Sequence, residues 1–229
     1  MIDVEQIEKI IGTKIQNKDL FVQAFTHRSF INEHPHLGLS HNERLEFLGD
    51  AVLELVSTHV LYEKYPLQPE GQLTAFRSAI VRTESISEAA RALGLNDFLL
   101  LSKGEARDMG KARDYILANT YESLIGAIYL DSGYENASNF ITKTLLYKIN
   151  DVVEKGLWRD PKSYVQEKTQ EQFSVTPVYK NIKDEGPDHD KVFTVGIFFG
   201  GKEVARGVGK SKQDAEQQAA KKAIEEFKW

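Results

Sequence analysis

The sequence predicts two domains of different class: an all-helical domain followed by a smaller α-β-β-β-α domain. Three observations predict this. Apolar residues keep helical spacing through residues 1–150. Beyond residue 160 the period changes, and three strand-like segments separated by turn residues lie between two helices. The charge divides at the same place. From Asp160 onward 12 Lys+Arg face 12 Asp+Glu, which leaves 17 against 22, the whole net charge of −5, in residues 1–159.

In chain order, Val4, Ile7, Ile10 and Ile11 mark an opening helix, and Leu20, Phe21 and Phe25 a second. Residues 41–56, HNERLEFLGDAVLELV, mark a longer one. Leu73, Phe76, Ile80, Val81, Ile86, Ala90 and Leu93 continue the pattern, followed by 116–130 and 140–149. Breakers separate these runs at His34-Pro35-His36, at Pro66 and Pro69, at Gly94, between Gly104 and Gly110, and at Gly133. Residues 151–160, DVVEKGLWRD, are charged and precede Pro161, so they read as a linker between domain 1–150 and domain 161–229. In the second domain 163–173 reads as a short helix and 178–182, 192–199 and 203–208 as strands. Gly186-Pro187-Asp188 and Gly200-Gly201 supply the turns. Residues 211–227 form an alanine-rich closing helix.

The bulk composition excludes several classes. The 229 residues, 41% hydrophobic, suffice for one large or two modest domains. The absence of cysteine removes disulfides and thiolate zinc sites and fits a reducing compartment. MIDVEQIEKI lacks the basic start of a signal peptide. No apolar run approaches the roughly 20 residues of a membrane span. A cytoplasmic protein without a membrane partner is the expectation. A pI of 5.7 speaks against a nucleic-acid partner for the chain as a whole, but not for the neutral C-terminal part.

The helix over 41–56 carries too many acids for a core element. Successive residues turn by roughly 100°, so Glu43, Glu46, Asp50 and Glu54 fall within about 80° of one another. Leu45, Leu48, Val52, Leu55 and Val56 point the other way. Like charges one turn apart repel, so an unrelieved acidic stripe suggests a missing cation. Ser40 and Glu43 also form an S-x-x-E capping box with Ser40 at the N-cap, a structural reading for Glu43. Glu54 reads as solvated. On spacing alone, a solvated acidic face and a metal site both remain open for Glu46 and Asp50. A second acidic spot shifts the balance. In ILANTYESLIGAIYLD (116–131), Asn119 and Glu122 share a face, and Gly126 lets another helix approach closely. Were the two helices to cross, Glu46, Asp50, Asn119 and Glu122 would offer hard oxygens suited to Mg²⁺ or Mn²⁺.

The C-terminal domain supplies a third constellation. Lys210 and Lys212 flank a helix start at Ser211, with Asp214 as capping partner, where the helix dipole favours a phosphate. Lys221 and Lys222 read as surface charge. Gln166 and Glu167 are polar groups able to reach a minor groove, and His189 in the first turn is able to enter one. His34 and His36 lack a third partner, and His27 reads as a packed, hydrogen-bonded histidine.

HNERLEFLGDAVL (41–53) closely resembles the signature stretch of bacterial ribonuclease III, and THRSF (26–30) an earlier segment of that family. PEGQLTAFRSAIV (69–81) and ILANTYESLIGAIYLDSG (116–133) resemble its later segments. DPKSYVQEKTQE (160–171) and GVGKSKQDAEQQAAKKA (207–223) resemble the double-stranded-RNA-binding domain that follows. The resemblance spans nearly the whole chain in order. It implies a homodimeric, Mg²⁺-dependent endonuclease that cuts duplex RNA, ribosomal precursors among it, to 5′-phosphate products with short 3′ overhangs. By this resemblance Glu46 is a metal ligand, Asp50 a catalytic carboxylate and Glu122 both. Glu43 and Glu70 line the RNA or dimer valley, Gln166 and Glu167 belong to a minor-groove helix, and Lys210 and Lys212 to a phosphate-binding helix end. Asn119 stands where the family pattern has Asp. Its amide oxygen can ligate Mg²⁺ but brings no charge. Two rival readings follow: a non-cleaving duplex-RNA binder, and a metal-dependent phosphohydrolase for small substrates.

Overall fold

A computed structural model describes residues 3–107, 110–187 and 191–229 of the chain. It divides into two units, Met1–Trp158 and Arg159–Trp229. In the first, α1 (Val4–Ile11) is capped by the Asp3 carboxylate, which accepts the Gln6 N–H, and closes on Gly12 at φ +76°. Helices α2 (Lys18–Ala24) and α3 (Arg28–Glu33) begin at Asn17 and His27, whose side chains each cap the helix start. Helix α4 (Glu43–Lys64) is followed by α5 (Glu70–Ile80), α6 (Thr83–Ala92) and the long α7 (Lys111–Thr144). Gly133, at φ +83° and ψ 178°, breaks the ladder of α7, as its sequence position suggested. Helix α8 (Ile149–Glu154) occupies part of the stretch read as a linker, and Trp158 stacks edge-on against Phe76 at 5.0 Å.

The core of this unit is a packed set of fully buried side chains, among them Phe21, Phe25, Leu53, Leu61, Leu117, Tyr121 and Phe140. Each contributes about 1.5–3 kcal/mol on burial. That surplus allows α4 and α7 to carry carboxylates beside their contact. The two helices cross where two glycines meet. A Cβ built on Gly49 would lie 1.7 Å from the Glu122 carbonyl oxygen, and one on Gly126 would lie 2.3 Å from that of Leu45. The buried arc of α4 comprises Leu45, Gly49, Val52, Leu53, Val56, Ser57 and Leu61. It is centred nearer the acidic stripe than the helical wheel suggested. Leu48 is therefore only partly buried, and Leu55 is 57% exposed.

In the second unit α9 (Pro161–Phe173) has Pro161 in its first turn and the Asp160 carboxylate accepting the Ser163 N–H. Strands β1 (Val178–Glu185), β2 (Val192–Phe199) and β3 (Lys202–Gly209) form an antiparallel sheet in that order. Gly200 and Gly201, at φ +55° and +89°, make the hairpin between β2 and β3. Helix α10 (Lys212–Phe227) lies on the sheet with Ala215, Ala219, Ala220 and Ala223 buried. Gly207 permits this approach, since a Cβ there would lie 2.0 Å from the Ala215 carbonyl oxygen. Phe173, Phe199, Phe227 and Trp229 close one end as an aromatic cluster.

Candidate active site

The acidic helix starts later than the capping box predicts. Asn42, not Ser40, occupies the N-cap of α4, and no side chain caps it. Three hydrogen bonds hold residues 41 and 42 against the end of α2 and displace the local cap. Gln23 Nε2 donates to the His41 carbonyl (3.0 Å), Asn42 Nδ2 to that of Ala24 (3.2 Å), and the Asn42 N–H to that of Thr26 (3.0 Å). Glu43 is thereby freed to face Arg28 Nη1 at 3.4 Å and His41 Nδ1 at 3.6 Å. The stripe is thus relieved at its first position. It is relieved at its last too, because Glu54, read as merely solvated, pairs with Arg77 at 2.9 Å.

Between these ends the charge is unrelieved. Glu46 lies on the edge of the buried arc of α4 and is half-buried, whereas Asp50 is exposed. Across the glycine crossing, Glu122 on α7 is half-buried, with Asn119 one turn before it. Burial pushes the Glu122 carboxyl up to about 8, and the charges of Asp50 and Glu46 push the same way. Glu46 is also raised, first by burial, then by Glu43 and Asp50. The three carboxylates therefore feel one another across two helices. No three His, Cys, Asp or Glu side chains among the described residues are gathered tightly enough to hold an ion. The fit to a divalent cation rests on the hard-oxygen donor set and on unrelieved charge.

The remaining candidates lie elsewhere. Glu70, at the first position of α5, is exposed and accepts from the Thr74 hydroxyl at 3.1 Å. His27 is a hydrogen-bonded structural residue. Its Nδ1 lies 2.8 Å from the Ser29 hydroxyl, and burial lowers its pKa. In the second unit Gln166 and Glu167 share an exposed, shallow hollow with Ser163 and Gln170. Ser211 caps α10 by accepting the Asp214 N–H at 3.1 Å, and the Asp214 carboxylate accepts the Lys210 N–H at 3.2 Å. Lys210 and Lys212 are exposed at that helix end. His189 lies outside the described residues.

Comparison with known proteins decides the family. Residues 17–149 match the family model described as ribonuclease-III-like, and residues 161–226 match the double-stranded RNA binding motif. A protein named ribonuclease 3 from Carboxydothermus hydrogenoformans is 44% identical over 222 residues, covering 97% of this chain and 94% of the relative. Another, from Desulforamulus reducens, is 47% identical over 216 residues, covering 94% and 87%. The chain belongs to the ribonuclease III family. The nuclease domain of the Campylobacter jejuni ribonuclease III gives a TM-score of 0.57 at 38% identity, over 63% of this chain and 94% of that one.

The ribonuclease III match includes Glu43, Glu46, Asp50, Glu70, Asn119 and Glu122, all in the first unit. Three residues that shape this ribonuclease III site escaped the sequence reading. Gly49 sets the crossing with α7. Asn42 sets where α4 begins. The Ser123 hydroxyl, buried beside Glu122, donates to the Asn119 carbonyl (2.7 Å), with the Asn42 carbonyl at 3.4 Å. For Gly49 there was a signal, a glycine inside an apolar helix, which costs stability unless a backbone comes close.

Proposed function

We propose that this ribonuclease III-family chain is a divalent-metal-dependent endoribonuclease that cleaves both strands of duplex RNA, leaving 5′-phosphate ends and short 3′ overhangs. The observation that carries the reading is the crossing of α4 and α7 at Gly49 and Gly126, which brings the half-buried Glu122 within electrostatic reach of Glu46 and Asp50 inside the ribonuclease-III-like match. Such a site is short of positive charge, and the Glu122 oxygens together with those of Glu46, Asp50 and Asn119 would supply a hard donor set for Mg²⁺, with Mn²⁺ as substitute, once drawn together around the ion. When bound, the ion supplies positive charge for a scissile phosphate and acidifies water. Glu122, its pKa raised by burial and by its neighbours, would have to give up its proton to solvent before its carboxylate could hold the ion. Asp50 is exposed and meets the solvent from which the attacking water comes. The second unit holds the duplex, with Lys210 and Lys212 on phosphates and Gln166 and Glu167 on a minor groove, by shape more than by sequence. Structured transcripts such as ribosomal, transfer and messenger RNA precursors fit that mode.

A second copy completes the proposal, with one site for each strand. Phe47 is 81% exposed, Leu55 57% and Tyr62 71%, a strip on α4 that a second copy would cover. A solved relative bears on the same point: a second structure of the Campylobacter jejuni nuclease domain concerns structural flexibility in a region involved in dimer formation. The test is incubation with labelled long duplex RNA in Mg²⁺ or in EDTA. Fragments in Mg²⁺ alone are expected. RNA that is retarded but uncut in Mg²⁺ would replace the nuclease with a binder, and no interaction with duplex RNA would leave a phosphohydrolase for small substrates.

A further inference from the structure

We infer that Asn42 is a positioning residue for the acidic site, holding the first turn of α4 so that Glu46 lies beside the glycine crossing with α7, the helix that carries Glu122. The inference rests on the reading of Glu46 and Glu122 as partners in one site. Its starting point is a broken local rule. Asparagine is among the favoured N-cap residues because its side-chain oxygen accepts a helix N–H. Asn42 stands at the N-cap of α4 and makes no such bond. Its amide turns the other way and donates to the Ala24 carbonyl at 3.2 Å. The residue is 3% exposed. A cap has been given up for a tertiary tie, and rules of this kind are broken mainly at functional sites.

The tie acts directly on Glu46. The Asn42 carbonyl accepts the N–H of Glu46 and that of Leu45, both at 2.9 Å, so the place of Asn42 fixes the place of the Glu46 backbone. Two further bonds, from the Asn42 N–H to Thr26 and from Gln23 to His41, fasten the same two residues to the end of α2. The glycine crossing at Gly49 and Gly126 brings the helices close but acts as a pivot. A second fixed point is needed to set how α4 lies across α7. Asn42, seven residues before Gly49 and roughly 10 Å along the helix, is that point. Ser123 joins α7 to it, with its hydroxyl 3.4 Å from the Asn42 carbonyl and 2.7 Å from that of Asn119.

Asn42→Ser in the full chain is the decisive variant. Serine restores a good cap but is too short to reach Ala24. Duplex-RNA cleavage is measured at saturating Mg²⁺, well below the unfolding temperature, beside Glu46→Gln and a core control, Ile141→Val. Affinity for Mn²⁺ alone, without RNA, is read by paramagnetic resonance. The expected result is a fall in kcat of about tenfold or more, as for a misplaced catalytic group, with KM within twofold and weaker Mn²⁺ binding. Ile141→Val should keep its kcat. If Asn42→Ser keeps kcat within twofold of the parent while Glu46→Gln is inactive, Asn42 positions nothing. A loss that Ile141→Val shares in proportion to its stability also overturns the role. If Glu46→Gln cleaves like the parent, the reading of the site itself has failed, and the inference with it. Should Asn42→Ser not fold, Gln23→Ala, which removes only the bond to His41, is expected to lower kcat by about two- to fivefold at constant KM.

Discussion

Glu122 is where burial and charge oppose each other, and its protonation is open to measurement. Its carboxyl stands at about 8 in the folded chain against an ordinary 4.5. Between these values the folded state holds a proton that the unfolded state has released, so stability falls as pH rises through that window. The metal-free protein should therefore lose unfolding temperature from about pH 5 to pH 8 more steeply than Glu122→Gln, which has no proton to lose there. At pH 8 in EDTA, scanning calorimetry should find Glu122→Gln the more stable of the two. A parent profile parallel to that of the variant would contradict the raised pKa. Mg²⁺ should stabilise the parent at pH 8 and the variant much less. Asn119 belongs to the same balance. Asn119→Asp adds a fourth carboxylate, which costs stability without metal and strengthens the pull on a cation. The Mg²⁺ concentration for half-maximal cleavage should fall roughly tenfold, about 1.4 kcal/mol, with kcat changing less. A large rise in kcat instead would mark Asn119 as a defect of this chain.

At the level of elements, the site depends on how closely α4 and α7 approach. Gly49→Ala would set a methyl group 1.7 Å from the backbone oxygen of Glu122. Backbone cannot rotate away as a side chain does, so the helices must part. The expected cost is about 3 kcal/mol or more, at the upper end for overpacking, read as a lower urea midpoint with an unchanged slope. A cost below 1 kcal/mol would show that the crossing is loose. How much of this was legible in the sequence depends on which physics is local. The acidic spacing of Glu46 and Asp50, the shared face of Asn119 and Glu122, and the glycine at 126 follow from helical geometry alone. The direction of the buried arc does not, because a wheel describes one helix and says nothing of which side a neighbour covers. Leu55 was placed inward on the wheel and is exposed for that reason. Ser40 satisfied a local capping rule, but the bonds of residues 41 and 42 to α2 prevailed. Strand β1 runs to Glu185, past the expected 182, because backbone pairing with β2 carries Lys183, Asp184 and Glu185 despite their poor strand propensity.

Across the whole molecule, the charge is divided between an acidic stretch and a neutral one. Residues 1–159 hold the entire net charge of −5, and the neutral remainder places Lys210 and Lys212 at the start of α10. The helix end adds its own partial positive charge there. Asp214 accepts the Lys210 N–H, and the ammonium of Lys212 lies 6.0 Å from the centre of the Phe193 ring. A phosphate contact of this kind releases counterions, so each lysine should contribute about one unit to the slope of log affinity against log salt. The double variant Lys210→Ala/Lys212→Ala, titrated with duplex RNA in EDTA from 50 to 200 mM salt, should lose about two units of slope and bind weakly at every salt concentration. An unchanged slope would remove both residues from the RNA surface. The same variant should keep the kcat of the parent at saturating RNA, because its substitutions leave Glu46, Asp50 and Glu122 untouched. Glu122→Gln should do the reverse, binding RNA as the parent does and failing to cut it. The division of charge thus predicts two classes of defect, one in KM and salt dependence and one in kcat. A Glu122→Gln protein that also bound duplex RNA more weakly would show that the acidic unit helps to hold the duplex.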